Sequence, residues 1–64
     1  MTTYKIIIRI RCKNDMMQTA IFESKAENYG AALKKADLYA SIFFSEELEN
    51  AITVSAVEVY EIED

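Results

Sequence analysis

The alternation between Tyr4 and Lys13 constrains the fold of this 64-residue chain more than any other stretch. The run "YKIIIRIRCK" has the two-residue period of a β-strand, because successive strand side chains point to opposite faces of a sheet. One face carries Tyr4, Ile6, Ile8, Ile10 and Cys12. The other face carries Lys5, Ile7, Arg9, Arg11 and Lys13. The run therefore predicts a strand with one apolar face and one mainly cationic face.

A hairpin is expected to follow this strand. The sequence "KND" (13–15) favours a turn, since Asn and Asp tolerate the backbone angles that turns require. A three-residue loop would pair Ile6 with Phe22 and Lys5 with Glu23, whereas a two-residue loop would set Glu23 against Ile6. We expect the three-residue loop, because it joins apolar groups on one face and opposite charges on the other.

The stretch after the hairpin predicts a helix over residues 28–44, with Asn28 as its N-cap. Its apolar side chains recur at helical spacing and form one stripe: Tyr29, Ala32, Leu33, Ala36, Ala40 and Phe43. The alanines keep this stripe thin, so the helix is expected to lie close to a sheet. We expect Ser45 to end the helix by capping a new short turn, where the following glutamates would face a favourable helix dipole.

The alternation of the last strand leaves open which face is buried. A bulge near Ser55–Ala56 would switch the faces part-way along it. In either case one apolar pair, Val57 with Val59 or Tyr60 with Ile62, is expected on the face away from the helix.

These elements predict an α+β fold with ββαβ connectivity in a single domain spanning residues 1–64. The predicted strands cover about residues 3–12, 16–26 and 51–62. The helix is expected to pack on one face of a three-stranded sheet. We favour strand order 2-1-3, because it brings Arg9 and Arg11 of the first strand near Glu58 or Glu61 of the third.

The short length suggests marginal stability, since a chain of this size buries only about 60% of the surface it exposes when unfolded. One cysteine and no histidine rule out an internal disulfide and make a metal cluster improbable. Good packing or self-association must compensate, and a homodimer is expected. The strand pattern at the N-terminus, the free thiol and the lack of a long apolar run indicate a cytoplasmic protein without membrane contact.

The sequence carries no catalytic, cofactor or metal motif, so we expect no enzyme. No histidine is present to act as a base near neutral pH. Cys12 has no activating partner and alternates onto the apolar face, which indicates a small buried side chain.

The face of the sheet away from the helix is the predicted interaction surface. One helix covers only one face of a three-stranded sheet, and uncovered apolar patches usually mark interaction sites. We predict that this surface contains Ile7, Arg9, Arg11, Met17, Ile21, Val57, Val59 and Tyr60. A partner protein or a second copy would bind there or along a strand edge.

The whole chain has a net charge of −4, and its positive and negative charges lie in different halves of the sequence. All seven Lys and Arg lie in residues 1–35, whereas residues 36–64 hold eight acids and no base. One interpretation is that the halves neutralise each other, and the other is that they form opposed surface patches. For the second case we predict an acidic patch of Asp37, Glu46, Glu47, Glu49, Glu61 and Glu63.

Nucleic-acid binding through the basic strand, residues 5–13, is the alternative function. Sheets that bind RNA usually combine cations with exposed aromatic side chains for base stacking. Here only Tyr60 is a candidate aromatic on that face, and the whole chain is acidic. We therefore expect a protein partner.

The pattern "ESKAEN", followed by "YGAALKKADLYA" and a closing "VSAVEVYEIE", resembles small proteins of bacteriophages and mobile elements, including the DpnD/PcfM-like type. The resemblance covers most of the chain as a pattern, without a signature residue. It implies an accessory protein without enzymatic activity. Some phage proteins of this size bind and block a host protein, as anti-CRISPR and other anti-defence inhibitors do, and the resemblance implies a function of this kind.

Overall fold

The computed structural model describes residues 1–47 and 49–62. The elements are β1 (Thr2–Cys12), a 3-10 turn (Lys13–Asp15), β2 (Met17–Ala26), α1 (Tyr29–Glu46) and β3 (Ala51–Glu61). The strands form one sheet in the order β2-β1-β3, with β1 antiparallel to both neighbours. The predicted α+β class, ββαβ connectivity and strand order are confirmed.

The β1–β2 hairpin has the register that the sequence predicts. Ile6 lies opposite Phe22, and Lys5 lies opposite Glu23. The turn closes where the Cys12 backbone N–H donates to the Met16 carbonyl oxygen over 2.7 Å, which leaves a three-residue loop. Two of its residues adopt positive φ angles, and both are of the types that accept them: Asn14 at 65° and Asp15 at 60°.

The pairing of β1 with β3 contains two irregularities. Arg9 pairs with Ala56 but Ile10 pairs with Val54, so Ser55 has no partner on β1. Of the two alternatives that the sequence left open, the structure has the one with a bulge near Ser55–Ala56. A second shift leaves out Ile52. Each extra residue bends the strand and increases its local twist.

The bulge decides which side chains of β3 face the helix. Val57 and Val59 lie opposite Ile8 and Ile6, whose side chains belong to the buried face. Tyr60 therefore lies on the other face. The prediction that Val57 and Val59 belong to the uncovered surface is corrected: Val59 is a core residue, and Val57 lies beside the helix.

The core lies between β1 and α1. Ile6, Ile8 and Ile10 are fully buried, and fully burying such a side chain contributes about 1.5–3 kcal/mol. The remaining buried residues are Tyr4, Cys12, Ala26, Ala32, Ala36, Ala40 and Val59. Because β1 is central and apolar on one face from Tyr4 to Cys12, it supplies half of this core.

Helix α1 begins at the predicted cap. The Asn28 side chain accepts a hydrogen bond from the Ala31 backbone N–H over 2.9 Å. Three alanines one turn apart, Ala32, Ala36 and Ala40, form the buried line of the helix. Because alanines let the helix approach the sheet closely, the longer Leu33 and Tyr29 at the edges of this line are 41% and 52% exposed. These two members of the predicted stripe are therefore not core residues.

The C-terminal end of α1 also differs from the prediction. The helix continues through Ser45 to Glu46, and the Glu47 backbone N–H donates to the Phe43 carbonyl oxygen. Ser45 therefore caps no new turn. Phe43 and Phe44 pack against the core, and this burial holds the last turn in spite of its unfavourable acidic end.

Candidate interaction surfaces

The open face is the side of the sheet opposite α1, and its members follow from the strand register. Beginning at Ile7, alternate residues of β1 and their partners on β2 and β3 share this face. It comprises Thr3, Lys5, Ile7, Arg9, Arg11, Met17, Thr19, Ile21, Glu23, Lys25, Thr53, Ala56, Glu58 and Tyr60. The structure thus brings together six of the eight residues predicted for the interaction surface.

The apolar part of the open face is centred on Ile7. Ile21 is its direct neighbour on β2 and is 60% exposed. Tyr60 lies diagonally across on β3, because it pairs with the adjacent open-face residue Lys5. Met17 lies further along β2, opposite Arg11. Met17 and Tyr60 are each about half exposed, at 48% and 49%. Hydrocarbon side chains therefore extend across all three strands and are covered by no other described element.

A hydrogen-bonded group crosses β1 and β3 beside this apolar centre. Arg9 forms an ion pair with Glu58, as the predicted strand order implied. The Tyr60 hydroxyl donates to the second oxygen of the same carboxylate over 2.8 Å. The hydrogen bond from Tyr60, with Arg9 as the second cause, lowers the pKa of Glu58 below its usual value. The same bond to Glu58 raises the pKa of Tyr60. Tyr60 is thereby oriented along the sheet surface.

The other cations of the open face have different surroundings. Arg11 donates to Asp15 of the turn over 2.8 Å and not to an acid on β3. Lys5 lies opposite Glu23, but the two ion pairs found among the described residues are those of Arg9 and Arg11. Arg9 with Glu58 is the pair that joins the basic half of the chain to the acidic half. The open face therefore has two cations already engaged, and two others: Lys5 on the central strand between Glu23 and Tyr60, and Lys25 near the end of β2.

The residues predicted as one acidic patch occupy separate parts of the fold. Glu46 ends α1, and Glu47 and Glu49 follow it in the connection to β3. Glu61 lies at the other end of β3, roughly 30 Å away at about 3.3 Å per strand residue. Asp37 lies half-way along α1. Glu63 lies outside the described residues. The five acids that the structure describes therefore form no single surface.

A groove between α1 and the free edge of β3 was not predicted from the sequence. It has a volume of about 700 Å³. It is lined by Asp37, Ala40, Ser41, Phe44, Ser45, Ile52, Thr53, Val54 and Val57. The signal in the sequence was the broken alternation of β3, which places several apolar residues on the helix side near a bulge. Its depth depends on where α1 lies across the sheet, which the strand pattern does not specify.

Other kinds of site have little support in the described part of the chain. Cys12 is a buried free thiol, as its position on the apolar face predicted. Residues 1–47 and 49–62 contain no cluster of three potential metal ligands. Across the same residues, no helix is both long and apolar enough to cross a membrane. Comparison with protein-family models, curated proteins and solved structures found no match to this chain.

Proposed function

We propose that this chain is a small non-enzymatic protein that acts by binding another protein through the open face of its sheet. The observation that supports the proposal is the exposed hydrocarbon surface around Ile7, Ile21 and Tyr60, which no described element covers. Charged side chains surround it, as is common for an apolar interaction site with a polar rim.

The dimensions of the open face suit a small interface. Three strands about 4.8 Å apart, with the width of their side chains, span roughly 15 Å, and ten paired residues extend for roughly 33 Å. A flat contact would therefore bury about 500 Å² on each partner, or about 1,000 Å² in total. This is near the lower limit for a specific interface. The estimate favours a regulatory contact, or a partner that also reaches the rim.

The proposal includes a biological setting, which the sequence resemblance suggests. We place the chain among accessory or inhibitor proteins of bacteriophage type that act in the cytoplasm of a bacterial host. A binding protein of this kind needs no catalytic residues, in keeping with the absence of a catalytic motif from the sequence.

Affinity capture with two matched variants tests the proposed surface. Ile21→Lys places a charge in the open face, whereas Leu38→Lys places the same charge on α1 at an equally exposed site, 60% against 57%. We expect a bacterial lysate to yield partners that bind the wild type and Leu38→Lys but not Ile21→Lys. Equal capture by all three proteins would refute the open face as the binding site.

A homodimer through the same face is part of the proposal, because a second copy would cover the same hydrocarbon. Sedimentation of the wild type at tens of micromolar should then show a dimer that Ile7→Lys and Ile21→Lys dissociate. A monomeric wild type would remove self-association from the proposal and leave the binding of another protein in place.

Nucleic-acid binding is the second candidate, favoured by the position of Tyr60 beside Lys5 on the open face. It is weaker, because Arg9 and Arg11 are already ion-paired. It requires saturable binding of single-stranded RNA or DNA that weakens with added salt and is lost in the Arg9→Glu, Arg11→Glu double variant. Binding that neither added salt nor the double variant weakens would rule out this second candidate.

A further inference from the structure

The free edge of β3 exposes unpaired backbone groups at known positions. β3 lies at one side of the sheet, and within residues 1–47 and 49–62 its only strand partner is β1. The Ile62 backbone N–H donates to the Thr3 carbonyl oxygen over 2.9 Å, which identifies Ile62 as a residue whose backbone points toward β1. In an antiparallel ladder alternate residues point the other way. The N–H and C=O groups of Val57, Val59 and Glu61 are therefore directed to the free edge.

The groove beside this edge has both apolar and polar residues on its helix side: α1 contributes Ala40 and Phe44, and also Asp37, Ser41 and Ser45. Phe44 and Ala40 of α1 face Val54 and Val57 of β3 across it, and Ile52 at its end is 57% exposed. A strand added along β3 would alternate its side chains between the groove and the open-face side of the sheet. The edge would supply backbone hydrogen bonds at Val57, Val59 and Glu61, and the groove would accept the side chains of the added strand that lie on the helix side beside Val54 and Val57. These are the two components of binding by strand addition.

The charge around the edge indicates the chemistry of the added strand. Residues 36–62 contain acids but no Lys or Arg. Asp37 lines the groove, and Glu61 lies at the far end of the edge. Glu58, the other acid of β3, is already paired with Arg9. A second copy that pairs its own β3 here would bring acids against acids, which is unfavourable.

We infer that the free edge of β3 and its groove bind an extended segment of another protein, with apolar side chains at alternate positions and basic side chains near Asp37 and Glu61. The groove shares Thr53 with the open face but none of the apolar residues around Ile7, so the inference does not rest on the proposed function. The added segment would form the fourth strand of the sheet.

Two synthetic peptides provide the probe. The first, acetyl-KVRVKVR-amide, alternates valine with cations, and the second replaces every cation by glutamate. We expect the basic peptide to bind saturably, with an affinity at least tenfold higher than that of the acidic peptide. Asp37→Lys should weaken its binding roughly fivefold, because an attraction at a partly screened surface becomes a repulsion. Gln18→Lys, at an exposed position on β2 at the opposite edge of the sheet, should leave it unchanged.

Amide hydrogen exchange identifies the binding edge directly. Saturation with the basic peptide should slow exchange at the Val57, Val59 and Glu61 N–H groups at least tenfold. The Glu58 and Tyr60 amides, which already face β1, should change little and serve as internal controls.

Three results would overturn the inference. The first is no saturable binding of the basic peptide, or equal binding of the acidic one. The second is binding that protects none of the three edge amides. The third is protection that arises without peptide as the protein concentration is raised, because the edge would then be occupied by a second copy.

Discussion

Ile7 and Ile8 are adjacent residues of one type on the central strand, and their substitution by valine tests which face of the sheet is covered. Ile8 is fully buried beneath α1, whereas Ile7 lies on the open face and is only partly buried. Removing one buried methylene at Ile8 should cost about 1 kcal/mol of the free energy of unfolding. At Ile7 the same change should cost less than about 0.5 kcal/mol, because the valine keeps its β-branch and no closed cavity forms.

The expected difference between the two variants is large relative to the total free energy of unfolding of a chain of this length. At about 0.05–0.15 kcal/mol per residue, 64 residues give a free energy of unfolding of roughly 3–10 kcal/mol. Ile8→Val should therefore lower the Tm by about 4–8 °C, and Ile7→Val by less than about 4 °C. Replacing Ile8 by alanine would cost about 2–5 kcal/mol and is less useful, because the variant would be close to unfolded.

Urea unfolding followed by far-ultraviolet circular dichroism measures both variants. The m value should not change, since the same surface is exposed on unfolding. Two protein concentrations separate folding from self-association, which would make the midpoint depend on concentration. If Ile7→Val lowered the free energy of unfolding as much as Ile8→Val or more, the assignment of the two faces would be contradicted.

Three further predictions concern the helix ends and the hydrogen-bonded group on the open face. Asn28→Ala should lower the free energy of unfolding by about 1 kcal/mol in urea titrations, since the Ala31 N–H loses its acceptor; an unchanged midpoint would contradict the cap. Ser45→Ala should leave stability equal or raise it by up to about 0.5 kcal/mol, because Ser45 lies inside the helix; a loss of about 1 kcal/mol would restore Ser45 as a cap. Tyr60→Phe should raise the pKa of Glu58 toward its usual value in an NMR titration, because its main hydrogen bond is removed. Because folding lowers the pKa of Glu58, this carboxylate stabilises the fold at a pH above its unfolded pKa, and the stabilisation is lost as the pH falls through its folded pKa. If the free energy of unfolding of Glu58→Gln fell with acid just as that of the wild type does, this account would be contradicted.

The hairpin and the strand order followed from the sequence because short-range chemistry determines them. A shift of one residue in the hairpin would move Glu23 onto the face of Ile6, and the resulting cost excludes other registers. The pairing of Arg9 with Glu58 followed from placing a basic strand beside an acidic one.

The helix end and the groove depend on packing over longer distances. The sequence at Ser45 favours a cap, but the burial of Phe44 outweighs that local preference. The sequence leaves open which face Val57 and Val59 occupy, since only the paired register shows on which side of the bulge they lie. The groove requires the position of α1 relative to the edge of β3, which no local pattern specifies.

The candidate surface was predictable on β1 and β2 but not on β3. Ile7, Ile21 and Met17 follow from a regular alternation on two paired strands. Tyr60 reaches the same face only because of the bulge at Ser55.

The central claim is that the open face binds the partner, and a titration of the captured partner against two purified variants tests it most directly. Ile21→Lys and Leu38→Lys introduce the same charge at nearly equal exposure, and circular dichroism should first show that both keep the fold. We predict that Ile21→Lys weakens binding at least tenfold, whereas Leu38→Lys stays within twofold of the wild type. Equal weakening by both variants, or a larger loss with Leu38→Lys, would contradict the claim.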